Sequence, residues 1–365
     1  MSDKFEEQDA RLENTYIDLV SSPGLYLKDL DLERGTTCFV PMTPESYARS
    51  SFLDDRLMQT SKLVYDLPLD VLLDLKQRFR NDRRAIHFIF HVGHCGSTLL
   101  SRLLGSLPGF FALREPKPLR VLARHSRRVN ADDSAIDQET WAGAFDVVVG
   151  LLSRTFDTGQ VTLIKPSSFC NRLIRQLLDW DPGCRAVLLH VDLESYLATM
   201  LKPENRKETN FVVSTYHQAD VRHWLGDDAF DAESLPDGPK AAFVWLMNMV
   251  EFVQVMANQS YIGRLRPLEF SEFLLDRAAI LSEISEFMGQ AVPDDVVRAV
   301  ALDPAINETY SKRQDEAFDS TAREAALASA RREYADEIAA GRAWAESVCQ
   351  AHPVFIDVAR SQMGM

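Results

Sequence analysis

Apolar positions along this chain follow two rhythms. From Ala85 the run AIHFIFHV is short, uninterrupted and rich in β-branched and aromatic residues, which predicts a strand buried on both faces. In the following TLLSRLLGSL, Leu99, Leu100, Leu103, Leu104 and Leu107 fall on one helical stripe. The turn GHCGS lies between them, so the segment reads as strand, glycine loop, helix. The alternation recurs where VTLIKP (161–166) precedes SSFCNRLIRQLLDW, RAVLLHVD (185–192) precedes LESYLATMLK, and RLRPLEF (264–270) precedes DRAAILSEISEFMG. Buried strands alternating with helices predict an α/β fold, a parallel sheet with helices on both faces.

Outside this alternation the pattern changes. The chain before residue 83 reads as a polar extension containing helices, the clearest at Pro68–Phe79, where Val71, Leu72, Leu75 and Phe79 recur at helical spacing. A helical block from about Asn210 to Gln259 is interrupted by the turn-rich GDDAFDAESLPDGP, and Asp319 to Val348 reads as one long helix rich in alanine and glutamate. The expected organisation is a helical N-terminal extension (1–82), an α/β core (83–305) and a helical C-terminal segment (306–365). Trp141, Phe145 and Val149, recurring every four residues, read as core.

Composition narrows the function. With 365 residues, 46% of them hydrophobic, the chain can bury a large core, and disorder, collagen and coiled coil are excluded as overall descriptions. Lysine and arginine number 40 against 54 acidic residues, a net charge of -14, so no nucleic-acid partner is expected and any anion site is local. The exception is 114–128, with six basic residues against Glu115. Lys117, Arg120, Arg124, Arg127 and Arg128 share helical spacing there, either as a solvated face, the commoner case, or as a receiver for an anionic acceptor. Five cysteines without a CxxC pair suggest neither a disulfide framework nor a zinc site, and a reducing, cytoplasmic setting is expected. The acidic start and the lack of any run of 18 apolar residues predict neither signal peptide nor membrane span.

The loop carries the chemistry. A strand that ends in small residues opening a helix aims backbone N–H groups and the positive end of the helix dipole at one place, where an anion can sit. Gly93, Gly96, Ser97 and Thr98 lie in that loop. A Walker loop, GxxxxGK[ST], has a lysine where Ser97 stands, so a kinase or ATPase lacks its main cation here. Taken alone, the loop also fits an ordinary βα turn. Lys165 ends an apolar strand at the edge where parallel sheets hold ligands, and could act there as a cation or simply reach solvent. Glu115, just past a strand, could accept a proton if partly desolvated, or pair with Arg114 or Lys117. His87, His91 and His190 lie on or beside apolar strands and read as satisfied core histidines.

The run HVGHCGSTLLSRLLGSLPGFFALREP resembles the phosphosulfate-binding loop of the sulfotransferases, P-[KR]-S-G-[ST]-[ST] before a leucine-rich helix, with Gly96, Ser97, Thr98, Leu99 and Leu100 matching. Weaker matches follow in order from Ala85 to Asp319: Glu115, Lys165-Pro166, Thr199, LEFSEFL, FMG and TYSKRQDEAFD. His94 stands where the family has lysine or arginine, Cys95 replaces its serine, and Val191 takes the place of the arginine that binds the donor's 3'-phosphate.

The resemblance implies a three-layer P-loop NTPase-like parallel sheet with helical extensions, and transfer of a sulfuryl group from 3'-phosphoadenylyl sulfate to a hydroxyl or amine, with no metal expected. It implies a donor site made of His94, Cys95, Gly96, Ser97, Thr98 and Thr199, with Gly96, Ser97 and Thr98 holding the phosphosulfate, that Lys312 and Arg313 either close the site on the 3'-phosphate or are exposed surface charges, that Lys165 serves the leaving group and that Glu115 is the base. The departures at His94 and Val191 keep open a nucleotide-binding relative that regulates or scaffolds without transfer.

Overall fold

The computed structural model describes residues 19–57, 63–129, 134–216, 218–226, 230–307, 320–358 and 360. Five strands form the central sheet: β4 (Ile86–His91), β5 (Phe110–Arg114), β6 (Val161–Lys165), β7 (Ala186–His190) and β8 (Leu265–Glu269). All pairings are parallel and the order is β5-β6-β4-β7-β8. Every residue of β4, β6 and β7 is buried, which explains why these strands read as unbroken apolar runs: helices cover both faces and leave no wet side on which polar residues could alternate. The crossover from β4 runs out to β5 and returns through β6, whereas β7 and β8 lie on the other side of β4. Strand order therefore reverses beside β4, the position where such sheets open a crevice beyond their carboxyl ends. With the glycine loop directly after β4, this is a P-loop-like α/β fold.

The N-terminal region differs from its expected helical form. It contains a three-stranded antiparallel sheet, β1 (Leu25–Asp31), β2 (Thr36–Pro41) and β3 (Tyr65–Pro68), with β2 in the middle. The register of β1 shifts between Leu27 and Asp29, so its buried residues are Tyr26, Leu27 and Leu30. That spacing imitates a helical stripe and hides the strand's alternation. The helix expected at Pro68–Phe79 divides into Leu69–Leu73 and Lys76–Asn81, and the expected C-terminal helix divides at Tyr334 into Ser320–Glu333 and Ala335–Ala351.

Two buried arginines fasten the N-terminal region to the core. Arg114, at the end of β5, donates to the carbonyls of Tyr47 (2.9 Å), Ala48 (3.0 Å) and Ser50 (2.7 Å), where the helix Pro44–Arg49 ends. Arg154 donates to Leu19 O (2.6 Å), Ser22 O (2.6 Å) and Leu25 O (2.9 Å), and to Leu151 O in its own neighbourhood. Burial pushes both guanidinium groups down to about 10. One continuous apolar core extends from Leu19 to Val358. No helix among the described residues is long and apolar enough to cross a membrane.

Candidate active site at the carboxyl end of the sheet

Beyond β4 the backbone turns tightly: Gly93 (φ 87°), His94 (φ 49°) and Gly96 (φ 76°) are all left-handed. Gly96 is required twice over, by its φ and because a Cβ there would overlap the Phe270 ring. It caps the helix Ser97–Gly105 without any side-chain cap, so the N-cap itself leaves the first-turn N–H groups open to a ligand. Ser97 and Thr98 are buried, and neither hydroxyl makes a hydrogen bond among the described residues. Uncapped amides beside two unpartnered hydroxyls form a site suited to phosphate or sulfate oxygens.

His91 braces this loop. Its Nδ1 accepts from Gly93 N–H (3.0 Å), which leaves Nε2 to donate to Pro166 O (2.9 Å) just past β6. Burial holds His87 down to about 4, and likewise lowers His190.

The other expected loop side chains turn away from the anion site. His94 is bonded to Glu208 (3.1 Å) of the helix Pro203–Tyr216. Cys95 points into the core toward Leu189 O (3.7 Å); burial raises its thiol to about 11 against the opposing charge of Lys165. Only the backbone of Cys95 is left to serve the loop. Thr199 Oγ1 donates back along its own helix to Ser195 O (2.9 Å). Val191 is buried, and its carbonyl accepts from Trp245 Nε1 (3.0 Å). Lys312 and Arg313 lie outside the described residues. The C-terminal helices supply other cations near Thr199: Arg331 donates to Ser195 Oγ (2.9 Å) and pairs with Glu194 (3.1 Å), which also binds Arg342 (3.0 Å).

Glu115 and Lys165 meet directly. They extend from the ends of adjacent strands β5 and β6, Glu115 N–H donates to Lys165 O (2.7 Å), and Lys165 Nζ donates to Glu115 Oε1. Glu115 adopts φ 52°, a conformation costly for a residue with a side chain and concentrated at functional sites. Burial favours its neutral form, but the Lys165 ammonium, reinforced by their hydrogen bond and by Arg56, prevails and holds the carboxyl down to about 2. Lys165 is 1% exposed, with its ammonium 5.6 Å from the Phe52 ring centre.

Arg56, Asp54 and Phe52 complete the site and were not legible in the sequence. They belong to SFLDDRL, a polar stretch without motif or period that reaches the site only because the helix Pro44–Arg49 and the segment after it pack against the end of β5, where Leu53 N–H donates to Arg114 O (2.7 Å). The basic stripe is largely neutralised: Lys117 binds Asp29 and Asp55 (both 2.8 Å), Arg120 binds Asp54 (3.5 Å), and Arg127 binds Asp220 and Glu251. Among the described residues no group of three or more His, Cys, Asp or Glu side chains is arranged to hold a metal ion.

No family model matches the chain, and no curated protein matches it. Among solved structures it is similar to a sulfotransferase of Mycobacterium tuberculosis H37Rv, with 14% identity over 69% of this chain and 78% of that one and a TM-score of 0.40. It is also similar to the sulfotransferase domain of the Synechococcus PCC 7002 olefin synthase (12% identity, 68% of this chain and 89% of that one, TM-score 0.37) and to a mouse sulfotransferase complexed with PAP (12%, 63% and 69%, TM-score 0.30). These likenesses are distant, and the function is read from this chain's own residues.

Proposed function

We propose that this chain is a sulfotransferase that moves the sulfuryl group of 3'-phosphoadenylyl sulfate to a hydroxyl or amine acceptor. The observation that carries the reading is the buried Glu115–Lys165 pair at the ends of two strands beside a phosphate-type loop that has no Walker lysine. In this reading the amides and hydroxyls of Gly96, Ser97 and Thr98 hold the phosphosulfate. Lys165 moves from Glu115 to the bridging oxygen as the sulfur–oxygen bond breaks, and neutralises the electron pair left on that oxygen. Glu115 Oε1, freed by this move, takes the acceptor's proton as the new bond to sulfur forms. A sulfuryl group carries less negative charge than a phosphoryl group, so backbone donors and one lysine suffice. The five free thiols support a reducing, cytoplasmic setting.

A second reading, nucleotide binding without transfer, is favoured by Val191, whose buried valine leaves a 3'-phosphate without the arginine the resemblance implies. Thermal shift with 3',5'-ADP, 3'-phosphoadenylyl sulfate and ATP in parallel tests donor recognition, because a ligand bound to the folded state raises its stability. Stabilisation by the first two is expected, and stabilisation by ATP alone would overturn the reading. Donor consumption then separates transfer from binding: none under conditions of saturating donor would favour the second reading.

A further inference from the structure

The Glu115 carboxylate has two anchors of different kinds. Oε1 receives the Lys165 ammonium, for which Glu115 is the sole hydrogen-bond partner among the described residues. Oε2 receives Arg56 NH2 at 3.2 Å. Arg56 is itself fixed from three directions: Asp54 binds its Nε (2.9 Å) and its NH2 (2.6 Å), the backbone N–H of Arg56 donates to the same carboxylate (2.9 Å), and the guanidinium lies 3.6 Å from the centre of the Phe52 ring. Asp54 is only 4% exposed and is held in turn by Arg120. Both cations thus make a single contact with Glu115, but the Arg56 guanidinium is held in place by its fork on Asp54 and by the Phe52 ring, whereas Lys165 has no second partner among the described residues.

We propose that Arg56 is a positioning residue: it holds Oε2 of Glu115 when Lys165 turns to a bound anion, so that Oε1 faces the acceptor's proton. This rests on the transfer reading for its consequence, while the anchoring itself does not. A carboxylate left by both cations would be free to rotate in a strained backbone setting; with one anchor kept, it stays aimed. The groups that face this carboxylate are Lys165 from β6, Arg56 from the segment after the helix Pro44–Arg49, His91 from β4 and Cys170 from the turn Ser168–Leu173; Asp54 and Glu208 act on Arg56. Arg56 itself is half-exposed at 51%, so its removal leaves no large cavity.

The test uses the full-length protein with 13C-labelled glutamate carboxyls, the Glu115 signal being identified by its loss in Glu115→Gln. In wild type this signal is expected to stay ionised down to pH 3.5, since Lys165 and Arg56 both bind the carboxylate. In Arg56→Met its titration is expected to rise by about one pH unit, bringing visible protonation at pH 3.5, and Arg56→Lys should restore most of the difference. An unchanged Glu115 titration in Arg56→Met overturns the proposal whatever the enzyme's activity. In the kinetic arm, labelled 3'-phosphoadenylyl sulfate with water as acceptor should show kcat lower by about 10-fold in Arg56→Met, with its acid limb moved to higher pH and the affinity for 3',5'-ADP unchanged. Parallel loss of 3',5'-ADP affinity would make Arg56 a binding residue and also overturn the proposal. A shifted titration with no donor cleavage even in wild type would confirm the anchor and defeat the transfer reading instead.

Discussion

Replacing Glu115 by glutamine keeps the side chain's shape and deletes its charge, which isolates the energetics of the pair. Lys165, 1% exposed and bonded only to Glu115 among the described residues, then becomes a buried cation without a counter-ion. Removing one partner of such a pair costs about 3–5 kcal/mol. The carboxylate gives a similar size: holding it at about 2 instead of 4.5 corresponds to roughly 3 kcal/mol at neutral pH. Lys165→Met should cost less, about 2 kcal/mol, since Arg56 still neutralises Glu115. The double variant should lose less than the sum, with a coupling of about 2–3 kcal/mol. The sign with pH follows from a depressed carboxylate pKa. Its contribution is complete above about pH 5 and fades as pH falls through the folded value, so about half remains at pH 3. Urea unfolding midpoints of wild type and the three variants at pH 7.5, 5 and 3 measure both effects. Additive single losses, or a gap between wild type and Glu115→Gln that is unchanged from pH 5 to pH 3, would refute the coupling.

Gly96→Ala should unfold several degrees below wild type, because its Cβ meets the Phe270 ring at a left-handed φ; Gly96→Ala with Phe270→Ala should regain part of that loss relative to Phe270→Ala alone in differential scanning calorimetry. Arg154→Met leaves the carbonyls of Leu19, Ser22 and Leu25 without their donor and should cost about 2–3 kcal/mol, with the chain before residue 25 cut first in limited proteolysis. Thr98→Val, which removes a hydroxyl without a hydrogen bond among the described residues, should leave the melting temperature within about a degree while weakening 3',5'-ADP about 10-fold by calorimetry.

The parallel sheet was legible because strands buried on both faces need no polar positions, and runs such as IHFIFH and AVLLH announce themselves. The N-terminal sheet was not, since the bulge after Leu27 gives its first strand the spacing of a helix. The same contrast holds at the site. Glu115 and Lys165 stand at strand ends, a position that sequence can locate, but Arg56 reaches them across 59 residues, through a fold no local pattern encodes. His94 and Cys95 were expected in the anion site from their place in the loop; left-handed backbone at His94 and a buried Sγ at Cys95 direct them to Glu208 and to Leu189 instead.

The most direct measurement is cleavage of 35S-labelled 3'-phosphoadenylyl sulfate by wild type, Lys165→Ala and Glu115→Gln, with donor affinity measured on the same preparations. Wild type should release 3',5'-ADP faster than the uncatalysed reaction, with label passing to acceptor or water; each variant should lose about 10²–10⁴ in rate while binding the donor within about threefold of wild type. Donor cleavage no faster than in buffer, or variants as fast as wild type, would contradict a sulfuryl-transfer site built on Glu115 and Lys165.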